Sequence, residues 1–322
     1  MGKLIRQLLP FGSLMLIVCI LAALRPDTFL TLDNFLNVLR RSSVYGIIAV
    51  GMTFVIISGG IDLSVGSVLA VCGMIGAWPM EAGGSITGTI AGITAGLLCG
   101  LINGILITKF RLQPFIATLG TMSFFRGIAL VMKDGQPINV PGYKYLGEGM
   151  IIGAPVSVLI FATVIIVAML ILKYTTLGRY TYAIGSNREA AFHAGVRVEK
   201  NITWIYTIVG LLVGIAAMIQ ISRTVSAQPT AGLGLELDVI AAVVIGGASL
   251  SGGQGTITGT IIGTLLISFL RNGCTLLGIS TNAQLIVIGI IIVVAVAVDR
   301  LAQTKTKNSG ITPRKLISRQ VS

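Results

Sequence analysis

The sequence predicts an all-α polytopic membrane protein of about ten transmembrane helices, several of them short or broken. The chain of 322 residues is 54% hydrophobic and only 11% charged, and its mean hydropathy is +0.93. This composition excludes a water-soluble domain with a charged surface. Apolar runs recur along most of the chain. Almost all of the 23 lysines and arginines lie between or beyond them, where positive charge fixes membrane orientation.

The predicted spans are apolar runs that cross roughly 30 Å of hydrocarbon, or nearly so. The first run follows Lys3 and Arg6 as in a signal peptide, but no cleavage pattern of small residues comes after it, so we expect an uncleaved span. Residues 27–43 are too polar to span and are expected to lie at the outer interface as an amphipathic helix. The runs are residues 8–24, 44–58, 64–80, 86–107, 114–132, 151–172, 202–221, 239–250, 255–270 and 283–298.

We expect residues 1–300 to form a single transmembrane domain. A polar, charged segment at about residues 173–201, the basic loop, interrupts its apolar pattern, and residues 301–322 form a basic tail. Placing both termini and the basic loop in the cytoplasm puts most lysines and arginines inside, as the positive-inside rule requires. Because the basic residues flank membrane spans, the net charge of +12 does not indicate nucleic-acid binding.

Cysteine and histidine are too few, and too scattered, for a metal site or a catalytic triad. The cysteines lie in apolar runs at unrelated spacings, and His193 is the single histidine. We therefore expect no metal, no cofactor and no catalytic residue, and we do not expect an enzyme. The cysteines are Cys19, Cys72, Cys99 and Cys274.

Glycine is abundant, with 41 residues. Gly92, Gly96, Gly100 and Gly104 lie at four-residue spacing within one run. Small residues let helix backbones approach closely in lipid, so this spacing predicts a helix packed tightly against another helix.

A short internal repeat relates the two halves of the chain. Residues 60–65, Gly-Ile-Asp-Leu-Ser-Val, correspond to residues 234–239, Gly-Leu-Glu-Leu-Asp-Val. These segments follow the second and seventh runs. An offset of five spans is odd, so spans 2–5 and spans 7–10 are expected to have opposite membrane orientations. Such an inverted repeat is common among transporters. A rival alignment of residues 59–64 with 246–251 makes the repeat parallel. We prefer the first alignment because it keeps an acid in place.

Asp62 is the acid nearest the middle of apolar sequence, where a carboxylate costs on the order of 3 kcal/mol. It is therefore expected to face a cavity, a helix N-terminus or a partner. Together with Ser64 it directly precedes a new apolar run, so capping of a broken helix is the first interpretation. Contact with a polar substrate, and coupling to protons or sodium, are the alternatives.

Glu236 and Asp238 precede the run at residue 239 in the same way. They follow a polar stretch, residues 226–232, in which Pro229 and the glycines prevent a regular helix. Irregular backbone at membrane depth is tolerated only where it lines protein or water. This stretch is a candidate for the outer mouth of a translocation path.

Three amide side chains are further candidates. Gln228 lies in the same polar stretch, whereas Asn103 lies within a span and Asn272 just beyond one, and each asparagine is followed by glycine. Each asparagine either lines the path or forms a hydrogen bond between helices, and the interhelical role is preferred.

The pentapeptide at residues 250–254, Leu-Ser-Gly-Gly-Gln, has the letters of the signature motif of ATP-binding cassette ATPases. That motif acts beside a phosphate-binding loop, and the sequence contains no G-x-x-x-x-G-K-[ST]. We therefore expect a tight turn between two membrane segments and no nucleotide binding.

Four motifs in order resemble a known family. Residues 189–195 of the basic loop, Glu-Ala-Ala followed by three residues and Gly, are similar to the cytoplasmic coupling motif of permease subunits in bacterial ABC importers. Residues 58–67, 176–180 and 226–232 resemble the ribose-type monosaccharide permeases in particular. The likeness covers roughly residues 10–300.

This resemblance implies a multi-pass subunit of a bacterial inner membrane that translocates a monosaccharide, such as a ribose-like pentose. It implies a second permease subunit, with a homodimer preferred over a heterodimer. It further implies ATP-binding cassette ATPase subunits on the cytoplasmic side, where ATP is hydrolysed, and a periplasmic sugar-binding protein.

The resemblance also places coupling to the ATPase in the basic loop. A short helix with small side chains and a chain reversal at Gly195 suits a groove of a soluble partner. Arginines offer forked contacts to carboxylates there, although the same arginines also serve to hold the inside orientation. The candidates are Arg179, Asn187, Arg188, Glu189, Ala190, Ala191 and Gly195.

The alternative function is an ion-coupled secondary sugar carrier in which Asp62 and Glu236 bind protons or sodium. This function explains why Asp62 and Glu236 lie near apolar runs, but it does not explain the basic loop. Neutral sugars need hydrogen-bonding groups without net charge, which suits a path lined by Ser, Thr, Asn and backbone. The importer is therefore the preferred interpretation.

Overall fold

A computed structural model describes residues 2–280, 282–290 and 293. Within these residues the chain is helical apart from short connections and four strands of two residues each, which confirms the all-α prediction. The predicted basic tail and the end of the last predicted span lie outside the described residues.

The elements are named in chain order. The helices are α1 (Gly2–Leu24), α2 (Pro26–Phe29), α3 (Leu32–Ile57), α4 (Val65–Glu81), α5 (Ser85–Thr108), α6 (Pro114–Val131), α7 (Tyr145–Glu148), α8 (Val156–Tyr174), α9 (Thr176–Ser186), α10 (Arg188–His193), α11 (Val198–Thr224), α12 (Leu235–Ile245) and α13 (Ile257–Leu276). Residues 282–290 are also helical. The strands are β1 (Ile138–Asn139), β2 (Met150–Ile151), β3 (Ala154–Pro155) and β4 (Ser226–Ala227). β1 pairs antiparallel with β4, and β2 with β3.

Six helices within the described residues are long and apolar enough to cross a membrane: α3, α5, α6, α8, α11 and α13. Shorter apolar helices occupy Phe11–Leu24 and Val65–Glu81. With only 11 residues, α12 is about 17 Å long and cannot cross the hydrocarbon alone. The predicted runs up to residue 270 all fall at least partly on helices, so a polytopic membrane protein with short and broken helices is confirmed.

The predicted interfacial helix over residues 27–43 is wrong in extent. α3 begins at Leu32, where the Thr31 side chain accepts a hydrogen bond from the Asn34 N–H, and it continues unbroken to Ile57. The polar segment therefore forms the first turns of a span. Hydropathy alone missed this because helical hydrogen bonding continues across a change in polarity.

Two long helices, α3 and α11, form the centre of the bundle. Their most apolar windows are 83% and 72% buried, compared with 28% for α6 and α8. A helix that is apolar on all sides is stable only when neighbours cover it or lipid surrounds it. The core therefore lies around α3 and α11, and α6 and α8 form its periphery.

The glycines of α5 pack against α11 at backbone contact. A Cβ on Gly96 would overlap the Gly210 carbonyl oxygen and lie 2.9 Å from the Gly214 Cα. A Cβ on Gly100 would overlap the Tyr206 carbonyl oxygen. The predicted close packing of helices is confirmed, because any side chain at these positions would force the two backbones apart.

The bundle has two ends that bear different irregular segments. The loop end carries α9, α10 and residues 249–255, where the Gly253 N–H donates to the Ile57 carbonyl oxygen at 2.8 Å. The hairpin end carries the two strand pairs. Glu81 at the end of α4 forms a 3.2 Å ion pair with Lys133, close to β1.

Helices α4 and α12 begin beside each other and run to opposite ends. A Cβ on Gly66 would overlap the Gly232 carbonyl oxygen, and one on Gly232 would lie 2.6 Å from the Gly66 carbonyl oxygen. From there α4 reaches the hairpin end, whereas α12 leads to residues 249–255 at the loop end. The opposite directions favour the inverted alignment over the parallel one.

Candidate translocation path and basic loop

The first polar cluster lies at the start of α4. Asp62 Oδ1 accepts hydrogen bonds from the Ser64 N–H at 2.8 Å and from Ser64 Oγ at 2.7 Å. Asn103 Nδ2 donates to Ser64 Oγ at 2.8 Å, and Thr121 Oγ1 donates to Asn103 Oδ1 at 2.7 Å. Asp62 is 2% exposed and Asn103 is 1% exposed. The chain of bonds therefore ties α4, α5 and α6 together within the core.

Asp62 is placed by its own local sequence. An Asp side chain readily accepts hydrogen bonds from the residue two positions further on, and here that residue is Ser64, which directly precedes α4. Ser67 Oγ in turn donates to the Ser64 carbonyl oxygen at 2.8 Å. The geometry is that of an Asx-turn before α4; the Ser64 side chain does not cap the N–H groups of the helix itself, and Ser64 connects the turn to Asn103.

The second polar cluster lies at the start of α12. Arg126 of α6 donates from Nη1 to the carbonyl oxygens of Pro229 and Ala231, both at 2.8 Å. Glu236 lies close enough for an electrostatic interaction with Arg126, and its Oε2 would lie 2.6 Å from a Cβ on Gly66. A membrane-depth arginine thus holds the irregular segment before α12 and faces an acid.

Asp238 forms a buried ion pair with Arg271 of α13. Arg271 Nη2 lies 2.7 Å from Asp238 Oδ2 and 2.9 Å from Oδ1. The Asp238 side chain is 4% exposed and that of Arg271 is 19% exposed. Both contacts come from one guanidinium nitrogen, and Arg271 Nε is buried without a hydrogen-bond partner among the described residues. The pair therefore joins α12 to α13.

The remaining amide candidates lie apart from these clusters. Asn272 Nδ2 donates to Asn34 Oδ1 at 2.7 Å, and Asn34 returns the bond at 3.3 Å, so Asn272 joins α13 to the start of α3. Gln228 is exposed and donates to Ser226 Oγ at 3.3 Å beside β4.

The basic loop folds into the two short helices α9 and α10. Asn187 Oδ1 accepts from the Ala190 N–H at 2.9 Å and so caps α10, and Gly195 ends the turn with φ of 82°. Ala191 is only 5% exposed and seats α10 on the bundle. The exposed side chains of this loop include Arg179, Arg188, Glu189 and Phe192.

Tyr182 anchors α9 to residues 249–255. Its hydroxyl donates to the Gly255 carbonyl oxygen at 2.8 Å. Burial raises the pKa of Tyr182 above its ordinary value, which keeps the phenol protonated as a hydrogen-bond donor. The pentapeptide at residues 250–254 forms the turn between α12 and α13, as expected, and it packs beneath α9.

Comparison with known proteins decides the family. Residues 34–296 match the family described as "branched-chain amino acid transport system / permease component". The chain belongs to this permease family.

Similar proteins match nearly the whole length of the permease. It is 48% identical over 300 residues to the ribose import permease protein RbsC of Bacillus subtilis (strain 168), covering 92% of this chain and 93% of the relative. It is 42% identical over 298 residues to RbsC of Escherichia coli (strain K12), covering 90% and 92%. It is 39% identical over 295 residues to the D-allose transport system permease protein AlsC of the same strain, covering 90% of each chain. These matches confirm the resemblance to ribose-type ABC importer permeases.

No solved structure is significantly similar to the permease.

Two cavities of the permease differ in size and lining. One of about 580 Å³ lies between α4, α5 and α6, and its walls are almost entirely apolar, including Ile90, Leu98 and Phe125. The other, of about 30 Å³, is lined partly by Gln220 and Gln228 between α4 and α11. Neither of these two cavities combines the volume of a sugar with a polar lining.

One residue of the second polar cluster that is absent from the predicted site, Arg126, has a signal in its local sequence. Arg126 lies within a predicted span, and an ionisable side chain at that depth indicates a functional or structural partner. Thr121, Tyr182 and Arg271 carried no such local signal, because their roles depend on residues from other helices.

Proposed function

We propose that the permease is the membrane subunit of an ATP-driven importer that carries a ribose-like monosaccharide across a bacterial inner membrane. The observation that carries the proposal is the similarity, at 48% identity over 92% of the chain, to a ribose import permease. ATP is hydrolysed by separate ATPase subunits, and a periplasmic sugar-binding protein delivers the sugar.

The exposed face of the basic loop supports docking of an ATPase. Arg179, Arg188 and Glu189 project from two short capped helices at one end of the bundle. Arg179 and Arg188 can form forked contacts with carboxylates of a partner. We place Asn187, Ala190, Ala191 and Gly195 in this docking element as residues that shape it, and both termini lie on the same, cytoplasmic side.

The translocation path is proposed to form along the two polar clusters, with a second, identical permease subunit. Asp62, Ser64 and Asn103 lie on one side of the contact between Gly66 and Gly232, and Glu236 lies on the other. The named cavities of one chain are too apolar or too small for a sugar, which favours a path completed by another subunit. Gln228, Asp238 and Asn272 complete the proposed set of path or gate residues.

An ion-coupled carrier using Asp62 and Glu236 is not favoured. Asp62 already accepts two hydrogen bonds from Ser64, and the similar proteins include ribose import permeases.

Reconstitution tests the proposal. The permease, its cognate ATPase and its sugar-binding protein are placed in vesicles that contain ATP, and uptake of labelled D-ribose is measured. We expect uptake that requires ATP and persists in the presence of an ionophore. Uptake without ATP that collapses with the ionophore would establish the secondary carrier instead.

A further inference from the structure

The turn at residues 250–255 forms hydrogen bonds with both α3 and α9. The Gly253 N–H donates to the Ile57 carbonyl oxygen at the last residue of α3, at 2.8 Å. Just beyond the pentapeptide, the Gly255 carbonyl oxygen accepts from the Tyr182 hydroxyl of α9 at 2.8 Å. The turn therefore contacts both the basic loop and the helix that leads to Asp62.

Four glycines bring these three segments to backbone contact. A Cβ on Gly185 of α9 would overlap the Ile57 carbonyl oxygen and lie 2.6 Å from the Gly253 backbone nitrogen. A Cβ on Gly252 would lie 2.7 Å from the Gly185 carbonyl oxygen and 3.1 Å from the Gly59 Cα. Gly59, Gly185, Gly252 and Gly253 are named the glycine junction.

Contacts of this kind have little freedom to absorb movement. Side chains between two elements can change rotamer when the elements shift, but backbones in van der Waals contact have no rotamer to change. A displacement of α9 toward the bundle therefore has to displace residues 250–255, the end of α3, or both.

The junction leads to the first polar cluster through α3. Ile57 is followed by residues 58–61, and the Ile61 carbonyl oxygen accepts hydrogen bonds from Thr118 Oγ1 at 3.3 Å and from the Tyr206 hydroxyl at 3.4 Å. Asp62 and Ser64 come next. Only a short irregular segment thus separates the junction from the start of α4.

The junction leads to the second polar cluster through α12 and α13. A Cβ on Gly246 or on Gly259 would overlap the backbone of the other residue, and one on Gly263 would overlap the Ala242 carbonyl oxygen. The Asp238–Arg271 ion pair joins the same two helices further along. Helices α12 and α13 therefore move as one unit with the turn that connects them.

We infer that the glycine junction passes movement of the basic loop to both broken helices, α4 and α12. Movement of α9 then displaces residues 250–254. This role is unrelated to the ATPase signature motif, with which the segment shares only its sequence. The inference rests on the proposed function, since it assigns a transmission step to the same importer. Its physical basis is one rigid contact shared by two elements that lead to opposite halves of the repeat.

The test measures the amount of sugar imported per ATP hydrolysed by the reconstituted complex of permease, ATPase and sugar-binding protein. Gly185→Ala adds a methyl group at the junction, and Tyr182→Phe removes one hydroxyl beside it. We expect Gly185→Ala to lower the ratio of uptake to hydrolysis by about tenfold and Tyr182→Phe to lower it by about threefold. ATPase subunits should still copurify with both variants, because the exposed docking face is unchanged.

Two matched variants serve as controls. Gly12→Ala changes another helical glycine, with no atom within 4 Å of its added Cβ, and Tyr145→Phe removes the hydroxyl of a side chain in α7 that is 62% exposed and lies outside the basic loop. Both should keep the wild-type ratio.

Each outcome decides the inference. A wild-type ratio in Gly185→Ala overturns it, and so does loss of ATPase copurification, which would make Gly185 a docking residue. If Gly185→Ala does not insert, the ratio of Tyr182→Phe decides, and a wild-type value overturns the inference. A wild-type complex that imports ribose without ATP refutes the proposed function, and the inference with it. A ratio of sugar uptake to ATP hydrolysis that is lowered in the junction variants and unchanged in the two controls supports both the inference and the proposed function.

Discussion

Two buried acidic side chains of this permease are held in different ways. Asp62 is held by a hydroxyl and a backbone N–H two residues along the chain, whereas Asp238 depends on an arginine 33 positions away. The first arrangement is local and accompanies a helix start. The second exists only in the folded bundle, so it reports on whether α12 and α13 are packed together.

Removing one member of the Asp238–Arg271 pair should destabilise the permease. We expect Asp238→Ala to lower the free energy of unfolding by about 3 kcal/mol, because it leaves a largely buried guanidinium without its counter-charge. The measurement is the thermal unfolding midpoint of purified protein in detergent. The double change Asp238→Leu with Arg271→Met should recover most of the loss, since apolar side chains of similar size avoid the desolvation cost. A single variant as stable as wild type would contradict this account.

Asn103 should matter for stability through its two hydrogen bonds. Asn103→Ala leaves Ser64 without its Nδ2 donor and Thr121 with only the longer, 3.3 Å bond to the Thr118 carbonyl oxygen, which should cost about 1–3 kcal/mol. The same thermal assay checks this value. Thr163→Val is the control, because that hydroxyl is exposed and bonds only within its own helix. An unchanged midpoint for Asn103→Ala would show that the bonds between α4, α5 and α6 contribute nothing measurable.

Helix packing in this permease depends on contacts between backbones. α5 and α11 approach through Gly96, Gly100, Gly210 and Gly214, and α12 and α13 approach through Gly246, Gly259 and Gly263. In lipid the hydrophobic effect does not drive helices together, so close packing carries more of the stability. The glycine spacing in α5 was sufficient to predict a packed face, although the partner helix could not be read from it.

Gly100→Ala should destabilise the contact between α5 and α11. Its Cβ would overlap the Tyr206 carbonyl oxygen and lie 2.9 Å from the Gly210 Cα, so the helices must separate, at a cost of about 1–3 kcal/mol. The matched variant Gly120→Ala places its Cβ in open space and should be neutral or stabilising by up to about 1 kcal/mol, because alanine favours helix. Equal midpoints for the two variants would count against backbone contact as the source of stability.

At the scale of the whole molecule, the two halves meet where their irregular segments converge. Gly66 and Gly232 touch, and α4 and α12 leave this point toward opposite ends. The basic loop lies at one end only, so movement there reaches both halves through shared contacts. This arrangement fits a subunit that receives energy from a partner at one face.

Charge reversal on the basic loop should separate docking from folding. We expect Glu189→Lys to abolish ATP-dependent uptake and copurification of the ATPase while leaving membrane insertion unchanged, because Glu189 is exposed. Glu148→Lys is the control, since Glu148 is an exposed acid in α7, away from the basic loop. Normal uptake by Glu189→Lys would remove this residue from the docking surface.

Much of the candidate site was accessible from the sequence, and its omissions follow a pattern. The Asx-turn at Asp62 and the cap formed by Asn187 involve residues two or three positions away, so a short window contains both partners. Arg126 holding carbonyl oxygens more than 100 positions away, and Asn272 paired with Asn34, required knowledge of which helices are neighbours. The prediction of a separate interfacial helix at residues 27–43 is wrong in extent, because a change from polar to apolar sequence does not mark the end of a helix.

The sequence by itself determined that this protein is an all-α polytopic membrane protein with irregular segments before two short helices and a basic loop between spans. Those properties follow from hydropathy, charge and glycine or proline positions, because a bilayer requires each backbone polar group within it to be satisfied inside a continuous segment. Only the tertiary structure decided which helices touch, which acid meets which arginine, and that residues 250–254 lie beneath α9. The physical reason is that packing contacts join residues far apart in the chain, and nothing in either local sequence specifies the partner.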